Sequence, residues 1–249
     1  MGLLKKIGGA AVIATFGVAA TVGYRTATFT PAGIADAQDF VLATAPTIDV
    51  PAAASRLGEA VRFATISNQD PALNRTEEWT KLHEWLRASY PGVHAAMTRE
   101  IVGGGALVYQ WKGSDASLSP IILMAHQDVV PVTEGTEKDW KYPPFAGQVA
   151  DGAVWGRGTI DDKGSLVALF EAAEALTAQG FAPKRTIYII SGHDEEVGGT
   201  GAKAAADLLA SRKVKALFTL DEGSVVVTDA PVINGPAIMI GIAEKAMLR

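Results

Sequence analysis

Between Ile121 and Glu222 the chain repeats one arrangement: a short apolar run, then at once a cluster of His and carboxylate residues. Ile121–Ala125 is followed by His126-Gln127-Asp128. Thr186–Ser191 is followed by His193-Asp194-Glu195-Glu196, and Ala216–Leu220 by Asp221-Glu222-Gly223. Runs of this length, rich in Ile, Leu and Val, are what strands buried on both faces require. Between them, Ser165–Gln179 and Gly201–Arg212 carry helical spacing, the first with Gly180 as its stop. Strand, helix, strand, helix, strand predicts an α/β fold with a mostly parallel central sheet and helices on both faces. Ala106–Trp111 reads as a further strand of it, and Asn74–Tyr90 as a helix with Trp79, Leu82, Trp85 and Leu86 on one face, ended by Pro91-Gly92. Asn74-Arg75-Thr76 formally matches a glycosylation acceptor, but a helix-capping role is the preferred reading.

In open α/β sheets, ligands bind in the crevice beyond the carboxyl ends of the strands. The polar clusters lie there. A fourth cluster, Asp161-Asp162-Lys163, follows the Gly156-Arg157-Gly158 loop and opens the Ser165 helix. Each cluster alone is what a solvated turn contains. Together at corresponding ends of one sheet, they supply one His and several carboxylates to one place, which is what a two-metal hydrolase needs.

Two divalent cations about 3.5–4 Å apart repel and need an anion between them. Asp161, at a loop–helix junction, is the candidate bridge. His126 and Asp221 complete the protein ligands of one metal, and Glu196 binds the other. Asp128, two residues beyond His126, is in reach to orient its imidazole. Glu195 points away from its neighbour Glu196 and is the candidate general base. Arg157 and Lys163 either bind a substrate carboxylate or position the Asp161 loop. His83 and His94 read as surface residues, and His193 as a group behind the ligands.

Composition narrows the chemistry. The chain has no cysteine, so any metal uses His and carboxylate ligands, and thiolate-rich structural zinc sites are excluded. Lys and Arg number 22 against 27 Asp and Glu, a net charge of −5, with no basic stripe to bind nucleic acid. The N-terminus differs from the rest. Lys5 and Lys6 precede an Ala/Gly-rich apolar run from Ile7 to Tyr24, closed by Arg25. Residues 1–25 read as a signal peptide or a membrane anchor, with the anchor favoured by the length of the run and the lack of an A-x-A site. Either exports the domain, to a membrane-anchored, periplasmic, extracellular or vacuolar location. Residues 26–58, rich in Ala, Thr and Pro, read as a linker, and 59–249 as the domain.

The segments "MAHQDVVPV", "WGRGTIDDKGS", "SGHDEEVGG" and "TLDEG" resemble those of the di-zinc metallopeptidases that include carboxypeptidase S, the aminoacylases, bacterial glutamate carboxypeptidase and the N-acyl-amino-acid synthase/hydrolases. The carboxypeptidase S branch is the nearest, with "YQWKGSD" and "EKDWKYPPFAG" also in its style. The likeness runs from about Ser67 to Lys245. It implies His126, Asp161, Glu196 and Asp221 as ligands of two Zn²⁺, Glu195 as the base and a cis Asp161-Asp162 peptide. It implies cleavage of a peptide or N-acyl bond next to a free carboxylate, through a metal-bridging hydroxide. Small peptides or N-acyl amino acids are the implied substrates. The family also carries an inserted lid domain, through which homodimers form, and a later His ligand; neither matches anything in this chain. The expectation is therefore of the N-terminal part of a catalytic domain, inactive alone. The alternatives are an N-acyl-amino-acid synthase/hydrolase and, from another class, a truncated non-catalytic metal-binding module, against which the retention of Glu195 argues.

Overall fold

The computed structural model describes residues 2–28, 44–223, 226–230 and 235–238, with side chains over 15–28 and 44–223. Helix α1 spans Gly2–Ala27. Among the described residues no helix is long and apolar enough to cross a membrane, and part of the Ile7–Tyr24 run lies outside the described side chains. The linker expected over 26–58 lies partly outside the described residues too. Its end is not linker. Val50–Val61 forms helix α2, with Asp49 accepting the Ala52 N–H at 3.0 Å and Pro51 in the first turn. An Asp cap followed by Pro is a helix start, and the Ala/Pro content masks it.

The described residues from 46 onward form one compact unit. Helix α3 (Thr76–Ser89) is followed by helix α4 (Pro91–Ala96), so Pro91 starts a helix as well as ending one. The Glu174 carboxylate accepts the Gly92 and Val93 N–H groups at 2.9 and 2.8 Å, capping α4 from across the core. Asn74 does not cap α3; its side-chain oxygen instead accepts the Asn68 backbone N–H at 2.9 Å.

Among the described residues the central sheet has five strands: β1 (Thr98–Val102), β2 (Ala106–Trp111), β3 (Ile121–Met124), β6 (Ile187–Ser191) and β7 (Thr219–Leu220), in the order β1-β2-β6-β3-β7. The hairpins β4–β5 (Gln148–Ala150, Ala153–Trp155) and β8–β9 (Val226–Ala230, Gly235–Ile238) lie apart from it. Pairing is parallel on both sides of β3 and antiparallel between β1, β2 and β6, so the sheet is mixed. The turn through Gly103 and Gly104, both at positive φ, makes the β1–β2 hairpin possible.

The period of two along each strand assigns the faces. Leu107, Tyr109, Trp111 and Ile189 pack under helix α5 (Lys163–Ala178), against Leu166 and Phe170, with Leu82, Leu86 and Tyr90. Val108, Tyr188 and Ile190 pack on the opposite face, under Ala205 and Leu209 of helix α6 (Thr200–Ser211). Helices therefore cover both faces, as expected. One expectation fails: Ala216–Leu220 is not a buried strand. Thr219–Leu220 pair with Ile122 and Leu123, with Leu217 and Phe218 bonded to Pro120 O and the Ile122 N–H just before them, and Leu217, Phe218 and Leu220 are exposed because β7 is the sheet edge among the described residues.

Candidate metal centre

Strand β3 carries the centre. Beyond Met124 the backbone keeps step with the end of β6, with Gln127 N–H donating to Gly192 O at 2.9 Å. This sets His126, Gln127 and Asp128 in the crevice with almost no exposure. His126 Nδ1 lies 2.9 Å from the Asp128 carbonyl, which can only accept, so Nδ1 carries the proton. Nε2 faces the crevice with Asp161 Oδ1 at 2.7 Å, so in the metal-free site it donates to that carboxylate, and it would offer a lone pair to a cation only on losing that proton.

Asp161 arrives on the loop before α5, through a cis Asp161-Asp162 peptide, as the resemblance implied. Asp162 turns inward, and its carboxylate accepts the His126 backbone N–H at 3.2 Å. The Glu195–Val197 turn follows β6 and is held from below. Both oxygens of Asp128 are used, Oδ1 by the Glu195 N–H at 3.0 Å and Oδ2 by the Glu196 N–H at 3.1 Å. Asp128 therefore does more than orient His126; it also fixes the backbone of the expected base and ligand.

The ligand atoms of His126, Asp161 and Glu196 lie within 4.8 Å of one another, and so do those of His126, Glu195 and Glu222. Glu222, unremarked beside Asp221 in the sequence, reaches 3.4 Å from His126 Nε2. Asp221 lines the same 240 Å³ crevice as Met124, His126, Gly192 and Glu195, but its Oδ1 accepts the next residue's N–H at 2.9 Å and it joins neither group.

The electrostatics describe a site with surplus negative charge. Burial pushes the His126 imidazole down, but the Asp128 bond and charge, the Asp161 bond and the Glu222 charge outweigh it and raise it to about 10. Glu196 is raised by burial and by the neighbouring Asp161 charge. Glu222 is raised by burial, and by Asp161, Asp162 and Glu195 against the opposing pull of His126. Crowded carboxylates that hold on to protons, around an imidazole that does the same, are what a divalent cation would relieve. The oxygen and imidazole donor set suits zinc without thiolates.

The structure places the remaining histidines and cations, and it corrects the surface reading of His83 and His94. His83 is not a surface residue: it is 8% exposed, and its Nε2 bonds Gln127 Oε1 at 2.6 Å. Gln127 is itself committed, donating to Gly105 O and Ser191 O at 3.0 Å each. His94 is half-buried against the Tyr90 carbonyl and the Tyr109 hydroxyl. His193 is wedged between Gly105 and Gly201, where a Cβ would come within 2.9 and 2.4 Å of its ring. Lys163 is fully buried, and its ammonium donates to Ala60 O at 3.1 Å and to Phe63 O, the C-terminal end of α2. It ties the Asp161 loop to α2 and has no access to substrate. Arg157 stacks on the Trp140 ring, 5.3 Å from its centroid.

Residues 122–240 match the profile of Peptidase family M20/M25/M40. The chain belongs to that family. It is 42% identical over 201 residues to a probable carboxypeptidase S-like protein of Dictyostelium discoideum, covering 78% of this chain and 38% of that one. It is 38% identical over 193 residues to an N-fatty-acyl-amino acid synthase/hydrolase of Bos taurus, covering 76% and 38%. Carboxypeptidase S of Saccharomyces cerevisiae is 42% identical over 165 residues, covering 63% and 29%. In fold the chain matches an M20 family metallo-carboxypeptidase from Sulfolobus solfataricus, with TM-score 0.56 and 21% identity over 70% of this chain and 38% of that one. The chain thus spans well under half the length of these relatives.

Proposed function

We propose that the protein is a two-zinc peptidase or amidohydrolase of the carboxypeptidase S kind, cleaving a peptide or N-acyl bond next to a free carboxylate. The observation that carries this reading is the convergence of His126, Asp161 and Glu196 on one point, with Glu195 beside them in an open crevice. When bound, zinc supplies the positive charge that polarises a scissile carbonyl and acidifies water. The chain's own residues do the rest. His126, Asp161, Glu196 and Asp221 are the proposed ligands. Asp161, its side chain 63% exposed and its Oδ1 2.7 Å from His126 Nε2, is the proposed bridge. Glu195 takes the proton from the attacking water and returns it to the leaving amine. Asp128 holds His126, Glu195 and Glu196 in register.

Lys5 and Lys6 ahead of the apolar Ile7–Tyr24 run support export, with the domain anchored at or released from a membrane. Homodimerisation through a lid domain belongs to the same proposal. Hydrolysis or synthesis of long-chain N-acyl amino acids is the second reading, favoured by the 38% identity to the Bos taurus enzyme. Turnover of a long-chain N-acyl amino acid against a dipeptide of the same C-terminal residue separates the two.

Glu195→Gln in the intact protein keeps the size and hydrogen-bonding reach but removes the base. Turnover is expected to fall by about 10²-fold or more, with zinc content unchanged. Wild-type turnover in that variant would refute the role.

A further inference from the structure

We propose that Ser67 is a positioning residue of the metal centre, its hydroxyl fixing the Asp128 oxygen from which Glu196 hangs. The stretch from Phe63 to Gln69 carries no charge and is unremarkable in sequence, yet it runs beside the HQD stretch. Ile66 pairs with Val129 in a one-residue parallel bridge, with Val129 N–H donating to Thr65 O at 3.0 Å and Ser67 N–H to Val129 O at 3.2 Å. This places Ser67, 2% exposed, under the carboxylate of Asp128, and its Oγ donates to Oδ2 at 2.6 Å.

The two oxygens of Asp128 serve different partners. Oδ1 takes the Glu195 N–H and lies 3.3 Å from His126 Nδ1. Oδ2 takes the Glu196 N–H and the Ser67 hydroxyl. Asp128 is wholly buried, so no solvent replaces a lost donor. Without Ser67, Oδ2 keeps one long N–H bond, and the carboxylate plane is free to turn about its Oδ1 contacts. The His126 side stays held, and the Glu196 peptide loosens. The effect therefore falls on the ion that Glu196 holds. This inference rests on the metal reading given above.

The test is zinc affinity of the intact protein by chelator competition, with the absorption spectrum of the Co²⁺-substituted form as a second readout. Ser67→Ala should weaken one of the two ions by about tenfold or more, the size expected when a partner behind a ligand is removed. The other ion should change by less than about twofold. Ser67→Cys, with a weak donor of similar size, should fall between and remains informative if the alanine variant folds poorly. Thr65→Val is the control for mere packing. Thr65 Oγ1 bonds Gln127 O at 2.6 Å in the same segment but does not touch Asp128. It should leave both affinities unchanged. Ser67→Ala with both affinities at the wild-type level overturns the proposal, as does Thr65→Val weakening the same ion equally. Wild-type protein that takes up no zinc overturns the metal reading itself, and the proposal with it.

Discussion

His126, Gln127 and Asp128 are at most 4% exposed, and their side chains bond the Asp128 carbonyl, the turn just before β2, the end of β6 and α3. Asp161, by contrast, has a side chain 63% exposed, and Asp221 and Glu222 lie just past the short strand β7. One half of the centre is built into the core, and the other half is presented on loops. Buried polar groups must be satisfied before the chain is stable, so the first half is fixed by folding itself. The second half gathers like charges in the open, which costs little in water and is repaid only when a cation binds. Substitutions in the first half should therefore damage stability and metal binding together. Those in the second should damage metal binding alone.

The largest expected effect is at Asp128. Replacement by Ala removes the buried acceptor that the Glu195 and Glu196 N–H groups and the Ser67 hydroxyl share. Metal-free protein should lose about 3 kcal/mol or more in chemical denaturation, and zinc uptake should fail. A loss below about 1 kcal/mol would mean that the buried half is not prebuilt. Lys163→Met comes next. It removes a buried donor to Ala60 O and Phe63 O, which keep only the Phe63 and Thr65 backbone N–H groups as partners, and it unties the Asp161 loop from the end of α2. A loss of about 1–3 kcal/mol is expected. If Lys163 bound substrate instead, the variant would raise KM and leave stability alone.

The same division decides what the sequence reveals. The α/β alternation, both helices flanking β6, and the polar clusters at the strand ends are readable because each is a local pattern of period and terminus. His126, Asp128, Asp161, Glu195, Glu196 and Asp221 all lie on or beside the crevice for that reason. What the sequence hides is non-local. The Asp49–Pro51 cap is visible, but only the packing of α2 on the core, with Arg56 and Tyr90 both bonded to Glu171 of α5, shows why residues 50–58 are not a linker. Gly58 and Gly147 lie so close that a Cβ on Gly58 would sit 2.5 Å from Gly147 O. His83 looks like a surface residue until α3 is laid against Gln127. Ser67 carries no signal at all, since its role depends on a bridge to residues about sixty positions away. Glu222 could have been noted as a second carboxylate at the end of β7, but nothing in "TLDEG" says which of the two faces His126.

The central claim is that Asp161 bridges two zinc ions on a scaffold that is already folded. Zinc content of the intact protein, wild type against Asp161→Asn, tests it most directly, together with the stability of both in metal-free form. Two zinc ions per chain in the wild type, neither retained by the variant, and metal-free stabilities within about 0.5 kcal/mol of each other are the expected result. A variant that keeps one tightly bound zinc, or that unfolds without metal where the wild type does not, would contradict the account.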